Sequence, residues 1–497
     1  MSEREIISAI KYVSRMKPEF TLSEIKDYIK SETTTEEVFN VIKPLLFDLK
    51  LTVKKDGSDY RVTRVQPAKT LVMSKGELAQ HEAFFKSPRV PKKLEQIVEQ
   101  YVEKKTGKKL DDPAMLEKIR KAIAAQKAQY WKEGDKRNIT YETGYSILGY
   151  LAYQFPVYFA QFEHMLKSMA DDGLLKTRMK VLDIGTGPGV VPMAIIDFYS
   201  RLEQAEAKVY SLEKFDENIE AYGTMVPEYA ATKSNVEVEK TIKADLLKLP
   251  MDKIPDQIDL LVFSNVLNEL TGVNINRRTD IVIELSKKLS PDGNIVIIEP
   301  AEKIHSMEMR KTVLALQRKG LHIYSPCSFI WCARCNPISC WSFEQKEDIA
   351  PTRLMETVAK CDEPYRYMNT DIKYSYAILR KDELSREKYV VPPKAHFARF
   401  SDLNTRVNKR INVVASKMSN DLGDKKNRVF KVCDGTSIKP VYAIIPSYHE
   451  DDNNNLLITA DYGEVLEFEG VVARLNKDFD AYNLLITRNS KITKAGE

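Results

Sequence analysis

The hydrophobic residues of the chain follow three different spacings, which divide it into regions of different structure. Helical spacing, with apolar residues three or four positions apart, dominates residues 1–50 and 66–178. Short and almost wholly apolar runs alternate with helical segments from residue 179 onward. Brief strand-like segments separated by turn residues dominate the last hundred residues. The chain is therefore expected to contain several domains.

The first 65 residues carry the pattern of a small unit. Helical spacing recurs three times, and Thr21-Leu22-Ser23-Glu24 has the form of a capping box at the start of the second helix. Residues 51–62 then alternate around Asp56-Gly57, which is typical of a β-hairpin. Three helices followed by a hairpin predict a winged-helix-like domain over residues 1–65. Such a domain would suit nucleic acid or a protein partner.

Residues 66–178 are expected to form a helical domain. Aromatic residues recur at helical spacing between 141 and 159, which indicates a core more often than a stacking surface. Lysine pairs at 92–93, 104–105 and 108–109 would suit phosphate contacts, although a solvated helix face explains them equally well.

Residues 179–395 are predicted to form an α/β core. Apolar runs that alternate with helical segments are typical of a sheet that is mostly parallel. The predicted strands include residues 181–184, 207–213, 259–265, 293–300 and 374–379.

The final region, residues 396–497, predicts a small OB-like β-barrel. Five short strands are expected, at 429–432, 440–445, 456–459, 465–474 and 483–487. Six side chains would suit an RNA groove with stacking, namely Arg428, Lys431, Lys439, Tyr442, Arg474 and Tyr482. The alternative is a barrel that only docks on its own chain.

Composition limits the functional classes. With 497 residues, the chain exceeds what one hydrophobic core usually supports. A net charge of +5 permits RNA binding without requiring it. We find no apolar run of membrane-spanning length and no signal-peptide pattern, so we expect a cytoplasmic protein without a membrane partner. Nothing in the sequence indicates a homo-oligomer.

The most informative polar positions follow the first buried run. The stretch Asp183-Ile184-Gly185-Thr186-Gly187-Pro188-Gly189 predicts a tight glycine turn where a ligand can approach the backbone. Glu213 ends the next strand, where an acid can accept hydrogen bonds from ribose hydroxyls. Asp245 and Asn265 follow the third and fourth strands. This order predicts a site for a nucleotide-like cofactor, and the alternative is a doubly wound domain that has lost its ligand.

The sequence motif D-x-G-x-G-x-G resembles motif I of class I S-adenosylmethionine (SAM)-dependent methyltransferases, whose fold is Rossmann-like. The resemblance implies that SAM is the cofactor. It implies that the glycine turn lines the methionine side, that Glu213 holds the ribose, and that Asp245 lies near the adenine. The implied cofactor residues are Asp183, Gly185, Thr186, Gly187, Gly189, Glu213, Asp245 and Asn265.

The residues that would contact the methyl acceptor are harder to identify from the sequence. Asn265, Asn268 and Glu269 are the candidate catalytic residues, although capping of the following helix explains them about as well. The Asn/Asp-Pro-Pro-Tyr/Phe motif of many amino-methyltransferases is absent after strand four. The same segment holds no cysteine that could attack a cytosine ring.

Four cysteines lie close together in the sequence, at positions 327, 332, 335 and 340. Such a group in an intracellular chain predicts a metal or redox site. Thiolates suit both iron–sulfur clusters and zinc. Only Cys332 and Cys335 have the spacing of a zinc knuckle, so spacing alone leaves an iron–sulfur cluster, zinc and redox thiols open.

Several segments in one order resemble the methyltransferase-like small-ribosomal-subunit assembly proteins of mitochondria and their bacterial and archaeal relatives. The resemblance covers about residues 130–445, and its segments are 141–170, 183–189, 266–270, 299–300, 325–327, 340–343 and 373–376. It implies association with small-subunit ribosomal RNA and a [4Fe–4S] cluster on four cysteines. Cys327 and Cys340 match the first and third ligands, Cys332 or Cys335 would be the second, and Cys433 fits the fourth. The alternative is a cluster held wholly by the four cysteines between 327 and 340.

The chain departs from that family in having an extra cysteine, an N-terminal unit and a full terminal barrel. Three functions remain open. The first is a SAM-dependent methyltransferase that acts on small-subunit ribosomal RNA in ribosome biogenesis and translation. The second is a catalytically silent assembly factor that binds SAM and RNA. The third is a protein or small-molecule methyltransferase with a zinc site.

Overall fold

The computed structural model describes residues 3–29, 33–65, 68–130, 144–233, 235–332, 335 and 337–496. It forms two compact units, Met1–Lys69 and Thr70–Glu497. The start of the predicted aromatic segment, residues 141–143, lies outside the described residues. No helix in the described part of the chain is long and apolar enough to cross a membrane.

The N-terminal unit packs four short helices against a three-stranded antiparallel sheet of order β1-β3-β2. Helix α1 buries Ile6, Ile10 and Val13 on one face. The capping box at Thr34 and Glu37 starts α3. The elements are α1 (Glu3–Met16), β1 (Glu19–Thr21), α2 (Leu22–Ile25), α3 (Thr35–Ile42), α4 (Leu46–Leu49), β2 (Leu51–Asp56) and β3 (Asp59–Arg64).

Five helices precede the central sheet of the second unit. One hydrophobic core joins four of these helices to the sheet, so this region is packed on the α/β core and does not have a core of its own. The helices are α5 (Lys75–Phe85), α6 (Lys92–Thr106), α7 (Pro113–Tyr130), α8 (Gly144–Tyr153) and α9 (Phe155–Asp171).

The central sheet has the strand order β6-β5-β4-β8-β9-β12-β10. Strand β12 runs antiparallel to both of its neighbours on this path, whereas the other pairings are parallel. The strands are β4 (Arg178–Ile184), β5 (Glu206–Glu213), β6 (Val236–Val238), β7 (Ile242–Lys243), β8 (Ile258–Ser264), β9 (Leu289–Pro300), β10 (His322–Ser325), β11 (Glu344–Lys346) and β12 (Ile372–Arg380). The predicted Rossmann-like α/β core is confirmed.

Helices cover both faces of this sheet, as connections between parallel strands require. They are α10 (Val190–Ser200), α11 (Asp216–Ala230), α12 (Ile275–Ser286), α13 (Lys303–Arg318) and α14 (Arg353–Val358). The strand order reverses between β4 and β8. Ligands of such sheets bind in the crevice outside the carboxyl ends of the strands at this point.

The C-terminal region closes into a five-stranded barrel because β13 pairs with both β14 and β16. Strands β15 and β17 run parallel, and β18 adds to β16. The elements are α15 (Leu403–Arg406), β13 (Arg410–Lys417), β14 (Asn427–Cys433), β15 (Val441–Pro446), α16 (Asn455–Thr459), β16 (Val465–Asn476), β17 (Ala481–Leu485) and β18 (Lys491–Lys494).

Two details of the predicted barrel were wrong. The segment 456–459 is part of helix α16, because the buried side chain of Asn454 bonds to His449 O and Asp451 Oδ1 and folds the chain into a turn before it. The first barrel strand, β13, was missed. Asn408, with φ of +65°, precedes its apolar run and the polar segment 419–421 follows it, so the turn residues were present and the strand between them was overlooked.

Candidate cofactor cavity and cysteine cluster

A cavity of about 220 Å³ lies at the carboxyl ends of β4, β5 and β8. This is the position where the strand order reverses, so the fold itself predicts a ligand there. The lining includes the glycine turn, the end of β5 and the segments after β7 and β8, together with two tyrosines from α8 and α9.

The glycine turn has the conformation that glycine alone adopts without strain. Gly185, Gly187 and Gly189 have φ values of +65°, +56° and +97°. A Cβ atom on Gly185 would collide with Val266, and one on Gly189 would collide with Val226. A Cβ atom on Gly187 would meet nothing within 4 Å, and this residue lines the cavity. The first and third glycines thus allow close packing, whereas the second leaves room for a ligand.

Glu213 is held rigidly at the end of β5. Its Oε1 accepts hydrogen bonds from the backbone N–H groups of Lys214 and Phe215 at 2.7 and 2.9 Å. Its Oε2 accepts one from Gly187 N at 2.8 Å, which ties the acid to the glycine turn. The residue is 4% exposed and lines the cavity.

Asp245 also lines the cavity, and an ion pair with Lys214 at 3.0 Å holds it. Asp183 and Thr186 are buried beneath the turn and do not line the cavity. Burial raises the pKa of Asp183 to about 8. Its Oδ2 has no hydrogen-bond partner among the described residues. Of the eight predicted cofactor residues, the structure therefore places Gly185, Gly187, Glu213, Asp245 and Asn265 on the cavity wall.

The three predicted catalytic residues are separated. Asn265 and Glu269 line the cavity. Asn268 is buried outside the lining, where its backbone N–H donates to Glu299 Oε1 at 3.2 Å and its side-chain amide donates to Glu299 Oε2. Burial raises the pKa of Glu299 to about 7. Asn268 thus fixes the loop after β8 to the end of β9.

Two cavity residues, Tyr150 and Tyr158, were not among the site residues predicted from the sequence. Their helical spacing predicted positions in the core. The structure places both in the packed helices α8 and α9, where they are half-buried. Both also line the cavity. Spacing along a helix shows which residues share a face but not that the sheet edge opens a cavity beside that face.

Three cysteines from two distant parts of the chain share a second, small cavity. Cys335 and Cys340 follow β10, Cys433 ends β14 of the barrel, and all three line a space of about 30 Å³. Burial, followed by the neighbouring Cys327 and Cys340, raises the pKa of Cys335 to about 12, which places Cys327 in the same group. We call these four residues the cysteine cluster. Cys332 is exposed, with φ of +52°, and lies outside the wall of that cavity.

Two buried cations lie beside the cysteine cluster. Arg310 is 2% exposed and donates to Ser342 Oγ, Tyr376 O and Tyr462 Oη at 3.3, 2.8 and 3.1 Å. Lys431 is 6% exposed and donates to Trp341 O. Within the described ranges neither cation forms an ion pair with a carboxylate. Buried charges are normally compensated, so this environment suits a negatively charged group.

Several side chains of the RNA groove predicted on the barrel are buried or paired in the structure. Lys431 and Tyr482 are buried, so neither is available at the surface. Arg428 is paired with Asp421 and Glu450, and Lys439 is paired with Asp480. Lys431 was misassigned because alternation in a barrel strand does not reveal which outward face is covered by another part of the chain.

In the part of the chain that the structure describes, no three His, Cys, Asp or Glu side chains converge closely enough to hold one metal ion. The metal site that the spacing of the cysteines predicts stays a prediction.

Comparisons with solved structures return methyltransferases. Magnesium protoporphyrin IX methyltransferase from Synechocystis PCC 6803, with bound SAH, is 9% identical over 52% of this chain and 95% of its own, with a TM-score of 0.29. A SAM-dependent methyltransferase from Clostridium acetobutylicum is 9% identical over 46% of this chain and 92% of its own, with a TM-score of 0.28. Because these scores are low, the fold assignment rests on the strand order described above.

No curated protein sequence matches the chain. Two models of domains of unknown function match residues 3–56 and 401–495. A third model, described as mitochondrial small ribosomal subunit Rsm22, matches residues 144–435 and so spans the α/β core, the cysteine cluster and the first strands of the barrel. The resemblance found in the sequence is confirmed, and the chain belongs to this methyltransferase-like Rsm22 family.

Proposed function

We propose that this protein is a SAM-dependent methyltransferase that acts on small-subunit ribosomal RNA during ribosome assembly. The observation that carries the proposal is the cavity at the reversal of the strand order, with a glycine turn tied to Glu213 on its wall. Membership of the Rsm22 family supports the small ribosomal subunit as the partner.

The residues present fit SAM. Glu213 offers carboxylate oxygens to the ribose, and the open face of Gly187 gives room for the methionine portion. Bound SAM would supply a methyl group on a sulfonium. The acceptor's lone pair forms the new bond to that methyl carbon as the carbon–sulfur bond breaks, and the acceptor's proton leaves to solvent. The protein positions the two reactants and excludes water.

The test is transfer of labelled methyl groups from SAM to purified small-subunit RNA by protein prepared without oxygen. We expect incorporation by the wild type and none by Glu213→Ala. Glu228→Ala, an exposed residue of α11, is the matched control and should retain transfer. Absence of incorporation by wild-type protein that binds both SAM and RNA would contradict the enzymatic function.

A second candidate is an assembly factor that binds SAM and RNA without transferring a methyl group. One observation favours it. Asn268, a candidate for contact with the acceptor, donates from its backbone and side-chain N–H groups to Glu299 and does not line the cavity. The sequence also lacks the amine-holding motif after β8.

We further propose that Cys327, Cys335, Cys340 and Cys433 hold a [4Fe–4S] cluster. Support comes from their grouping, from the exposure of Cys332 and from the two buried cations beside them. When bound, the cluster would cross-link the segment after β10 to barrel strand β14.

We propose that the chain is divided into a winged-helix-like domain at residues 1–65, a helical region at 66–178 that packs on the methyltransferase core at 179–395, and an OB-like barrel at 396–497. The description of the family names the mitochondrial small subunit, and a mitochondrial location therefore fits at least as well as the cytoplasmic one expected from sequence.

A further inference from the structure

Five exposed cations of the C-terminal barrel have no acidic partner. Within the described ranges none of them forms an ion pair with a carboxylate, whereas other barrel cations do: Arg428 pairs with Asp421, Lys439 with Asp480 and Lys494 with Glu464. Unpaired surface cations leave a positive potential that attracts an anionic partner. The five lie in the segment that enters β13, near the end of β16 and in the loop after β17, and they are Arg406, Lys409, Arg410, Arg474 and Arg488.

Hydrogen bonds join the start of β13 to β16. Asn408 N donates to Ala473 O at 2.8 Å, and Ala473 N donates to Lys409 O at 3.1 Å. Arg474 Nη1 donates to Asn408 Oδ1 at 2.6 Å. Lys409 N also donates to the carbonyl oxygen of Arg406 at 2.9 Å, so the cations of these two segments lie beside one another.

Arg410 extends the group to the third segment. Its Nη1 donates to Gly470 O and, at 3.1 Å, to Thr487 Oγ1. Thr487 directly precedes Arg488 in the loop after β17. Three segments of the barrel therefore bring their cations to one surface, and we call the five residues the cationic patch.

An apolar row crosses the outside of the barrel and ends at the cationic patch. Ile444 of β15 is paired with Leu485 of β17, which is paired with Val472 of β16. Val472 is in turn paired with Arg410 of β13. The neighbours of each aliphatic residue along its own strand belong to the barrel core, so these three half-buried side chains point away from that core.

A second row lies two residues away on each strand and adds an aromatic ring. Tyr442 is paired with Asn483, which is paired with Arg474. Tyr442 and Asn483 are half-buried, and Arg474 is exposed. Tyr442 and Arg474 belong to the groove predicted from the sequence, but the cations that accompany them come from β13 and the loop after β17.

We propose that the cationic patch and the two adjoining rows form a docking surface for single-stranded RNA. This inference rests on the proposed function for its choice of RNA. The patch would bind phosphates, because the guanidinium fork of arginine matches phosphate oxygens. Tyr442 and the apolar row would contact the bases, which a duplex would keep stacked and out of reach.

The experiment measures binding of a fluorescein-labelled, uridine-rich oligoribonucleotide to full-length protein by fluorescence anisotropy at several salt concentrations. We expect saturable binding by the wild type, with log affinity that falls linearly with log salt. Arg474→Gln and Arg488→Gln should each reduce the magnitude of that slope by about 0.7, since each removes one phosphate contact to a single strand. Tyr442→Ala should weaken binding by about 5-fold or more through lost base stacking, without a change of slope. Tyr442→Phe should retain binding.

Arg428→Gln is the matched control, because this exposed arginine of β14 is paired with Asp421 and Glu450. It should leave the affinity and the salt slope unchanged. Unchanged slopes in both variants of the cationic patch would overturn the proposal, as would an equal effect of Arg428→Gln or no binding by the wild type. Equally tight binding of polyglutamate with the same number of charges would assign the surface to an acidic protein and also overturn it.

Methyl transfer to small-subunit RNA tests the proposed function separately. RNA binding with the expected slopes but without methyl transfer would contradict only the enzymatic function. Methyl transfer by the wild type, together with unchanged slopes in the variants of the cationic patch, would contradict only the docking surface.

Discussion

The two candidate sites are built in contrasting ways. The cofactor cavity takes its polar residues from positions directly after successive strands of one sheet, so the topology alone brings them together. The cysteine cluster joins a loop after β10 to the end of a barrel strand about one hundred residues later. Changes in the cavity should therefore affect ligand binding with the fold intact, whereas changes at the cluster should affect how the barrel is held.

The largest difference is expected between substitutions of Cys433 and of Cys332. Cys433→Ser should abolish the visible absorption and iron content of anaerobically prepared protein, because it removes one of four ligands. Cys332→Ser should leave both unchanged, since Cys332 is exposed outside the cysteine cluster. Iron retained by Cys433→Ser, or lost from Cys332→Ser, would contradict the assignment. Stoichiometric zinc in the wild type would replace iron as the metal.

The next effect in size concerns the buried cation beside the cysteine cluster. Arg310→Ala would remove three hydrogen bonds, which connect α13 to β12, to Ser342 before β11 and to Tyr462 before β16. We expect a loss of about 3 kcal/mol or more in the free energy of unfolding, since hydrogen bonds to charged groups contribute about 1.5–3 kcal/mol each.

Arg318→Ala, an exposed residue of the same helix, should change the free energy of unfolding by less than about 0.5 kcal/mol. Denaturant unfolding followed by circular dichroism measures both variants. Equal stability of the two would show that the buried guanidinium does not hold these elements together.

Two glycines of the turn have different roles, Gly185 in packing and Gly187 in ligand access. Gly185→Ala would place a methyl group against Val266 at a positive φ, and should reduce SAH affinity by more than tenfold. Gly187→Ala has open space and carries only the cost of its φ, about 1–2 kcal/mol. The new methyl group would also enter the space assigned to the methionine portion, so SAH affinity should fall with little further loss of stability, whereas Gly185→Ala should lose stability as well. Calorimetric titration of SAH beside denaturant unfolding checks both variants, and unchanged SAH affinity in Gly187→Ala would contradict the placement of the ligand at this glycine.

The smallest expected effect is a pH dependence of stability caused by Asp183, the buried acid beneath the glycine turn. Burial raises the folded-state pKa of Asp183 to about 8, above its unfolded value. The folded state therefore binds the proton more tightly, and this contribution to stability is lost as the pH rises through about 8. The thermal midpoint should fall between pH 6 and pH 9, and Asp183→Asn should fall less. An identical slope in both proteins would assign the pH dependence to other groups.

The sequence predicted the α/β core because its strands are apolar runs and its turn carries glycines at Gly185, Gly187 and Gly189. Both signals arise from residues that are adjacent in the sequence, so they can be recognised without knowledge of the fold. Asn268 shows the limit. Its place after β8 predicted contact with the acceptor, but the direction of its side chain depends on Glu299 from the next strand.

The barrel shows the same limit. Strand β13 was overlooked although polar turn residues flank it, and α16 has the composition of a strand. The burial of Lys431 follows from a contact with Trp341, ninety residues away in sequence. Tertiary contacts of this range leave no local signal, and the metal or redox site predicted from the spacing of the cysteines stays a prediction.

The most direct test of the central claim is calorimetric titration of SAH into anaerobically prepared full-length protein. We predict one binding site per chain in the wild type and in Cys332→Ser, and loss of that site in Glu213→Ala. The absence of SAH binding by correctly folded wild-type protein would contradict the account, because the cavity would then belong to a doubly wound domain that has lost its ligand.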